Sequence, residues 1–293
     1  MNSSLKLLFV INANAGANKI SWHDMISNYF TGKQHEVHYF MLKENMDELK
    51  KLVATLQPER VIAVGGDGTV TLVAKLVAGT NAALGILPAG SANGMAKELN
   101  ISLVPEEALN LVENGEVIIS DAIKINGKDI CLHLADIGLN AQFIKYFDEG
   151  KLRGWLGYGK VMIKTLWRSQ KITVNFKTDQ VPVKEKVFML VLANASKYGT
   201  GAVINPEGKL DDGKFEVVLV RRLSLIEVMK TLFRPSSVNP KKIEAIHVTS
   251  IQIQTKRNAH FQIDGEYKGK IRNLEAVIMP KYVKIIRGKE TDL

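Results

Sequence analysis

The sequence predicts an α/β N-terminal domain, with a parallel, Rossmann-like sheet and helices on both faces, followed by a β-rich C-terminal sandwich or barrel-like domain. In residues 1–120, apolar strand-like runs alternate with helix-like segments. In residues 121–293, short strand-like runs dominate. A chain of 293 residues, 46% of them hydrophobic, can fill about two cores of ordinary size. We therefore place a domain boundary near residue 120 and expect that the C-terminal tail can return to the first domain.

The first domain is predicted from repeated strand and helix units. Its predicted strands are 6–10, 36–40, 60–64 and 83–87. Its predicted helices are 21–30, 45–56, 69–78, 92–99 and 105–113. Ser21 with Asp24, and Asn45 with Glu48, are placed to cap two of these helices. Such repeats require right-handed crossovers and a mostly parallel sheet, which binds ligands at the carboxyl ends of its strands.

The second domain is predicted from short runs of alternating and apolar residues. The predicted strands are 122–125, 129–134, 171–176, 187–193, 215–220, 250–255, 259–263, 275–278 and 283–286. Helices are predicted at 152–168 and 224–233. The pattern indicates an antiparallel sandwich or barrel.

Composition limits the classes of function. The single cysteine, Cys131, cannot form an internal disulfide. No stretch approaches the roughly 20 apolar residues that span a bilayer, so we expect a cytoplasmic, soluble protein. The net charge of +9 predicts attraction to an anion, which could be a nucleotide, a membrane surface or a nucleic acid. No nucleic-acid-binding motif is visible, so we expect no nucleic-acid partner.

The glycine-rich run GGDGT at 65–69 is the strongest indication of chemistry. It follows a predicted buried strand and precedes a predicted helix. Because glycine has no Cβ, backbone N–H groups can approach an oligophosphate closely, and the helix N-terminus adds a favourable dipole. Asp67 can orient the nucleotide or its metal. The run therefore predicts a phosphate-binding loop.

Two further loops lie at the same predicted sheet edge. The run GILPAGSANG at 85–94 offers backbone donors, the Ser91 hydroxyl and the Asn93 amide. The run INANAG at 11–16 places Asn12 and Asn14 there. We therefore expect the three loops to converge on one cleft.

Taken in order, these motifs and the late run DGE at 264–266 resemble the diacylglycerol kinase catalytic domain family. That family includes bacterial lipid kinases and sphingosine kinases, and it shares its fold more distantly with NAD kinases. The resemblance covers nearly the whole chain. It implies a nucleotide-binding domain at 1–120, a lipid-binding domain at 121–293, and transfer of the ATP γ-phosphoryl group to a diacylglycerol-like lipid hydroxyl with Mg²⁺.

The resemblance also implies roles for individual residues. ATP or its metal is expected to contact the three loops through Asn12, Gly16, Gly65, Gly66, Asp67, Gly68, Thr69, Ser91 and Asn93. Glu266 is the implied general base, and Asp67 the second catalytic residue. An exposed hairpin-turn carboxylate is the alternative interpretation of Glu266.

A second metal site is implied at the run KLDDGK. There the family holds a structural Mg²⁺ through one aspartate, which corresponds to Asp212, and nearby backbone carbonyls over the run from Lys209 to Lys214. A type I turn leading into the next strand is the alternative.

The sequence departs from the family pattern within the ATP loops. Leu72 stands where the family usually has glutamate, and Gly94 where it usually has aspartate. Ala13 replaces a common proline. These changes leave open a silent nucleotide- or lipid-binding regulator, and an NAD kinase-like enzyme is the nearest enzymatic alternative.

A lipid kinase must reach a membrane, so we expect peripheral membrane association. The predicted helix 152–168 has an apolar side and a basic side, which suits an interface, and a core helix with a solvated basic face is the alternative. A homodimer through edge strands of the second domain stays open. His133 and Asp136 are interpreted as packed residues rather than as an acid/base pair.

Overall fold

The structure is a computed structural model that describes residues 4–13, 21–42, 45–142, 144, 170–178, 182–197, 203, 205–206, 208–222 and 243–288. Gly16, Asn14 and the predicted helices 152–168 and 224–233 lie outside the described residues. The chain divides into two compact units, Met1–Ser120 with Lys281–Leu293, and Asp121–Pro280. Each unit is described by itself.

Five helices have both ends described and lie in the first unit, and residues 139–142 and 144 of the second unit are also helical. The five are α1 (Trp22–Phe30), α2 (Met46–Leu56), α3 (Asp67–Val77), α4 (Gly94–Glu98) and α5 (Pro105–Asn114). The strands are β1 (Lys6–Ile11), β2 (Glu36–Met41), β3 (Arg60–Gly65), β4 (Ala83–Pro88), β5 (Glu116–Ile125), β6 (Asp129–Cys131), β7 (Leu134–Gly138), β8 (Ile172–Lys177), β9 (Val183–Val187), β10 (Met189–Ala193), β11 (Phe215–Val220), β12 (Ile243–Val248), β13 (Ser250–Ile263) and β14 (Glu266–Arg287). None of these helices is long and apolar enough to cross a membrane.

The first unit is built on a parallel sheet in the order β14–β4–β3–β1–β2, to which β14 contributes its C-terminal end. Phe9 in β1 pairs with Tyr39 in β2 and with Ile62 in β3. Strand β4 is buried along its whole length, and β1 and β3 are buried except at their first residues. Continuous burial is expected of parallel strands covered on both faces. The predicted α/β class is therefore confirmed.

The predicted helix caps of this unit are present. The Ser21 hydroxyl accepts the Asp24 N–H at the start of α1, over 3.4 Å. Asn45 Oδ1 accepts the Glu48 N–H over 3.3 Å, and Asn45 Nδ2 donates to Glu48 Oε1 over 2.6 Å. Each cap satisfies a backbone donor that the first helical turn cannot satisfy itself.

The second unit is antiparallel and β-rich, as predicted. Its main path runs β12–β11–β10–β7–β13–β14, with β8 pairing β13 and β9, and β5 pairing β6 and β14. Alternate residues from these strands pack into a common apolar core that includes Ile137, Leu190 and Phe261. Sandwich-like packing of this kind needs one apolar face per strand.

Several strand boundaries differ from the predicted ones. The predicted strand 129–134 breaks after Cys131, because the N–H groups of Leu132 and His133 are donated to the Asp264 side chain. The runs 250–255 and 259–263 form a single bulged strand, and 275–278 and 283–286 are parts of β14. Strand β12 was not predicted, because its polar residues interrupt the apolar pattern.

Candidate active site

Helix α3 begins directly in the predicted phosphate loop. Gly66 is its N-cap, and the Thr69 and Val70 N–H groups donate to Gly66 O over 2.9 and 3.1 Å. No side chain caps this N-terminus. The first-turn N–H groups and the helix dipole together favour an anion at this position. The helix starts at Asp67, two residues earlier than predicted, which brings Asp67 into its first turn.

The two glycine-rich loops of the first unit touch through their backbones. A Cβ added to Gly90 would lie 2.4 Å from the Gly66 Cα, and one added to Gly66 would lie 3.2 Å from the Gly90 Cα. The Ala89 N–H donates to Gly65 O over 2.9 Å. A Cβ at Gly90 would collide with the Gly66 backbone, whereas one at Gly66 would require the neighbouring backbone to shift by a few tenths of an ångström. Gly66 and Gly90 therefore have a packing role besides any contact with phosphate.

Asp67 joins the first glycine loop to helix α4. Its Oδ2 accepts the Gly94 N–H over 3.0 Å, and its Oδ1 accepts the Met95 N–H over 3.1 Å. The carboxylate thereby caps α4, whose own N-cap residue makes no side-chain cap bond. Each carboxylate oxygen can accept more than one hydrogen bond or ligand. Asp67 thus fits a role toward Mg²⁺ or nucleotide, and that role stays a prediction.

The Asn12 loop meets the other two through Thr69. Asn12 Nδ2 donates to Thr69 Oγ1 over 3.2 Å, and the Asn12 N–H donates to Val64 O over 3.0 Å. Thr69 is buried, and its side chain also lies where a Cβ on Gly65 would be. The structure therefore brings the three predicted loops together at the carboxyl ends of β1, β3 and β4.

Asn93 and Ser91 have different environments within the second loop. Asn93 adopts a left-handed backbone, with φ of 50°, and is buried. Its Oδ1 accepts the Gly90 N–H and its Nδ2 donates to Gly90 O, each over 2.9 Å. Ser91 is exposed. The loop thus uses the Asn93 amide to close itself, and it presents the Ser91 hydroxyl to solvent.

Glu266 follows a tight turn in the second unit. Asp264 and Gly265 both have positive φ, 48° and 84°, and connect β13 to β14 as a two-residue hairpin turn. Ile263 pairs with Glu266 across this turn. The Glu266 side chain is 53% exposed, and its Oε2 lies 2.7 Å from Lys268 Nζ. The carboxylate is therefore accessible, and its role as a base stays a prediction.

Asp264 fixes this turn to the segment from Cys131 to Leu134, between β6 and β7. Its buried carboxylate accepts the N–H groups of Leu132, His133 and Leu134 over 3.0 to 3.2 Å. It also accepts the Cys131 thiol over 3.2 Å. Burial raises the pKa of that thiol well above its ordinary value, and the Asp264 charge raises it further. Asp264 was not among the predicted site residues, although it belongs to the DGE motif.

Gln262, on β13, contacts the same turn and is held in turn by Asp136 on the neighbouring strand β7. Gln262 Oε1 accepts the Gly265 N–H over 2.8 Å, and its Nε2 donates to Asp136 Oδ2. Asp136 also accepts Asn140 Nδ2 over 2.6 Å and the Ala141 N–H over 2.9 Å. Asp136 therefore accepts hydrogen bonds from three neighbouring residues, in line with its interpretation as a structural residue.

His133, interpreted above as a packed residue, is buried beside Asn194, a buried polar residue that the sequence did not indicate. The Asn194 N–H donates to His133 O over 3.1 Å, which makes the two residues cross-strand neighbours at the ends of β7 and β10. His133 Nε2 and Asn194 Oδ1 are buried without a hydrogen-bond partner. Strand periodicity could not identify Asn194, since a polar residue at a strand end is common.

The predicted structural-metal run forms a turn before β11. Asp212 Oδ1 accepts the Lys214 N–H over 3.0 Å, and Gly213 has φ of 73°. Asp121, which has no role in the sequence analysis, accepts the Gly213 N–H over 2.7 Å through Oδ2. Asp212, Lys209 and Lys214 are exposed.

The donor chemistry of this turn fits Mg²⁺, which binds one or two carboxylates and keeps several waters. Asp212 has a second carboxylate oxygen that could ligate an ion. Within the described part of the chain, no three or more His, Cys, Asp or Glu side chains are grouped as metal ligands. The metal therefore stays a prediction.

The two departures from the family pattern lie in the helices that follow the two glycine-rich loops. Leu72 is partly buried on α3. Gly94 is buried at the start of α4, and its backbone N–H is one of the donors to Asp67.

Comparison with protein families gives two matches that together span most of the chain. Residues 6–125 match the diacylglycerol kinase catalytic domain. Residues 134–287 match the YegS C-terminal NAD kinase beta sandwich-like domain.

Similar proteins and structures agree with these matches. A probable lipid kinase YegS-like from Chromohalobacter salexigens is 30% identical over 75% of this chain and 73% of its own length. Its counterpart from Yersinia pestis is also 30% identical, over 73% and 74%. A putative diacylglycerol kinase from Bacillus anthracis superimposes with a TM-score of 0.76 at 21% identity, covering 97% and 98% of the two chains. An NAD kinase from Archaeoglobus fulgidus in complex with ATP gives a TM-score of 0.53 at 12% identity, covering 97% and 94%.

Proposed function

This chain belongs to the diacylglycerol kinase catalytic domain family, and from that premise we propose that it is an ATP-dependent lipid kinase. It would transfer the γ-phosphoryl group of ATP to the hydroxyl of a diacylglycerol-like lipid. The observation that carries the proposal is the contact of three loops beside the uncapped N-terminus of α3. Such a cluster of backbone donors suits an oligophosphate.

The loops of the first unit would hold the nucleotide. The N–H groups of the first turn of α3 would donate to phosphate oxygens, and the exposed Ser91 hydroxyl would add a donor. Asp67 and Asn12 would orient the nucleotide and its Mg²⁺. That ion, when bound, neutralises phosphate charge and supports transfer. The hydrogen bonds of Asp67 to α4 keep its carboxylate fixed for this role.

Glu266 would take the proton from the lipid hydroxyl. The proposed role is supported by the tight turn that precedes Glu266, which Asp264 and Gln262 hold in place through hydrogen bonds. A base held on a rigid hairpin can be presented to a substrate without losing much conformational entropy. The ion pair with Lys268 would have to open or shift when the acceptor arrives.

The acceptor would be met at a membrane surface through peripheral association. A structural Mg²⁺ at Asp212 would stabilise the turn before β11.

The alternative proposal is a silent nucleotide- or lipid-binding protein, which the replacements at Leu72 and Gly94 favour. The two proposals differ in one observable, phosphoryl transfer.

The test is incubation of the protein with γ-labelled ATP, Mg²⁺ and a bacterial lipid extract in mixed micelles, followed by separation of the lipids. Glu266→Gln is the test variant. Glu275→Gln is the matched control, because Glu275 is also an exposed carboxylate on β14. We expect one labelled lipid with wild type and the control, and none with Glu266→Gln. Binding of Mg·ATP without any labelled lipid would favour the silent protein.

A further inference from the structure

The β13–β14 hairpin carries exposed cations along the two strands that meet at the turn preceding Glu266. We call this group the basic ribbon, and its members are Lys256, Arg257, Lys268, Lys270 and Arg272. Lys268 pairs with Glu266 over 2.7 Å. Among the described residues, no carboxylate forms an ion pair with the other four.

A bulge in β13 contains two of these cations, Lys256 and Arg257, and the other three lie on β14. Gln254 pairs with Asn273, but the next paired residue of β13, Ala259, faces Ile271. Strand β13 thus places four residues where β14 has one, which removes Lys256 and Arg257 from the ladder. The Thr255 hydroxyl, at the edge of the bulge, donates to Arg272 O over 3.3 Å. The bulge therefore lies beside the cations of β14.

The charge of the ribbon is not compensated within the hairpin. Of the two exposed carboxylates on β14, Glu266 pairs with Lys268, and Glu275 forms no ion pair with a ribbon cation, whereas Asp264 is buried and accepts three N–H groups and a thiol. The cation Arg221, in contrast, lies between Glu185 and Glu244, at 3.1 and 2.6 Å. Four cations of the ribbon therefore form no ion pair with a described carboxylate, whereas Arg221 forms two.

We propose that the basic ribbon docks the protein on the anionic surface of a phospholipid bilayer. Exposed lysine and arginine side chains are attracted to anionic headgroups, each by about a fivefold factor in partitioning. The ribbon runs into the turn that carries Glu266, so docking would bring this carboxylate near the headgroups. The inference rests on the proposed lipid kinase for its purpose, but vesicle binding requires no catalysis.

The test is sedimentation with vesicles of phosphatidylcholine containing roughly one third phosphatidylglycerol, compared with phosphatidylcholine alone. The variant replaces four ribbon cations by glutamine and keeps Lys268, the partner of Glu266: Lys256→Gln, Arg257→Gln, Lys270→Gln and Arg272→Gln. The matched control removes the same charge from exposed positions elsewhere: Lys51→Gln, Lys75→Gln, Lys184→Gln and Lys186→Gln. We expect the ribbon variant to lose at least about tenfold in partitioning and the control to lose much less.

Activity in neutral detergent micelles separates this inference from the proposed function. The ribbon variant should keep wild-type turnover there, because the acceptor is then supplied without an anionic surface. Wild type that binds anionic vesicles through the ribbon but phosphorylates no lipid would refute the kinase and support the docking. Equal losses in the variant and the control, or equal binding to both vesicle types, would overturn the docking. Tighter binding of wild type to duplex DNA than to anionic vesicles would overturn it too.

Discussion

Asp264 is the residue on which the DGE turn depends most. A single buried carboxylate accepts three backbone N–H groups and the Cys131 thiol, and the Asp264 N–H donates to Leu134 O over 2.9 Å. Charged acceptors form stronger hydrogen bonds than neutral ones, and each donor would lose its partner inside the protein if the carboxylate were absent. Asp264 is therefore a positioning residue for Glu266.

We predict that Asp264→Asn lowers the free energy of unfolding by about 2–4 kcal/mol. The amide removes the charge, and its NH₂ group would face a backbone N–H that now donates to a carboxylate oxygen. Urea denaturation measures the change. Asp211→Asn, at an exposed carboxylate, is the control and should stay within about 0.5 kcal/mol of wild type. A loss for Asp264→Asn as small as the control's would show that the buried carboxylate is not the anchor.

Gly90 and Gly66 provide a graded test of the loop contact. A Cβ on Gly90 would approach Gly66 to 2.4 Å, but a Cβ on Gly66 would approach Gly90 only to 3.2 Å. We predict that Gly90→Ala costs about 1–3 kcal/mol in the free energy of unfolding and weakens Mg·ATP binding, with a smaller effect for Gly66→Ala. Thermal unfolding with and without Mg·ATP measures both. The reverse order of the two variants would contradict the described backbone contact.

Among the helices, α1 and α5 are joined by a polar cluster around Glu113. Its carboxylate accepts Tyr29 Oη over 3.0 Å, Lys33 Nζ over 2.5 Å and His35 Nε2 over 3.0 Å. Burial by itself raises the pKa of Glu113, but the hydrogen bonds from Lys33, His35 and Tyr29 outweigh it and lower the pKa. The cluster therefore stabilises the fold only while Glu113 is ionised.

The pH dependence of this contribution has a definite sign. Because the folded-state pKa of Glu113 is depressed, its contribution is complete above the unfolded-state pKa, about 4.3, and is lost as pH falls through the folded-state pKa. We predict that Glu113→Gln lowers stability by on the order of 2 kcal/mol near pH 7, and that the difference shrinks below about pH 4.3. Urea denaturation across this range measures it, with the exposed Glu106→Gln as control. A difference that does not change with pH would contradict the ionised cluster.

At the scale of elements, residue pattern predicted the first unit better than the second. Strands β1, β3 and β4 are buried on both faces and read as apolar runs, and the caps at Ser21 and Asn45 lie within three residues of their partners. In the second unit, the break after Cys131 depends on Asp264, more than 130 residues away in the sequence. Contacts between residues so far apart in the sequence leave no local periodic pattern, so the strand boundaries that depend on them could not be predicted from the sequence.

At the scale of the whole molecule, the sequence predicted which loops meet but not how they are held. Glycine motifs indicated Asp67 and Asn93 as ligand contacts, which stays a prediction; they did not indicate that the Asp67 carboxylate caps α4 or that the Asn93 amide closes its own loop. Motif spacing identifies residue types, but it does not reveal which backbone donors they satisfy. Asp264 and Asp121 were missed for the same reason.

The most direct test of the proposed lipid kinase is a kinetic comparison of wild type and Glu266→Gln on the lipid that wild type labels. The turnover number and the dissociation constant of Mg·ATP are measured together. We predict that kcat falls by about 10²–10⁴-fold, as expected for loss of a general base, and that Mg·ATP affinity changes by less than about twofold. An unchanged kcat would contradict the role of Glu266, and absence of phosphoryl transfer to any lipid by wild type would contradict the kinase itself.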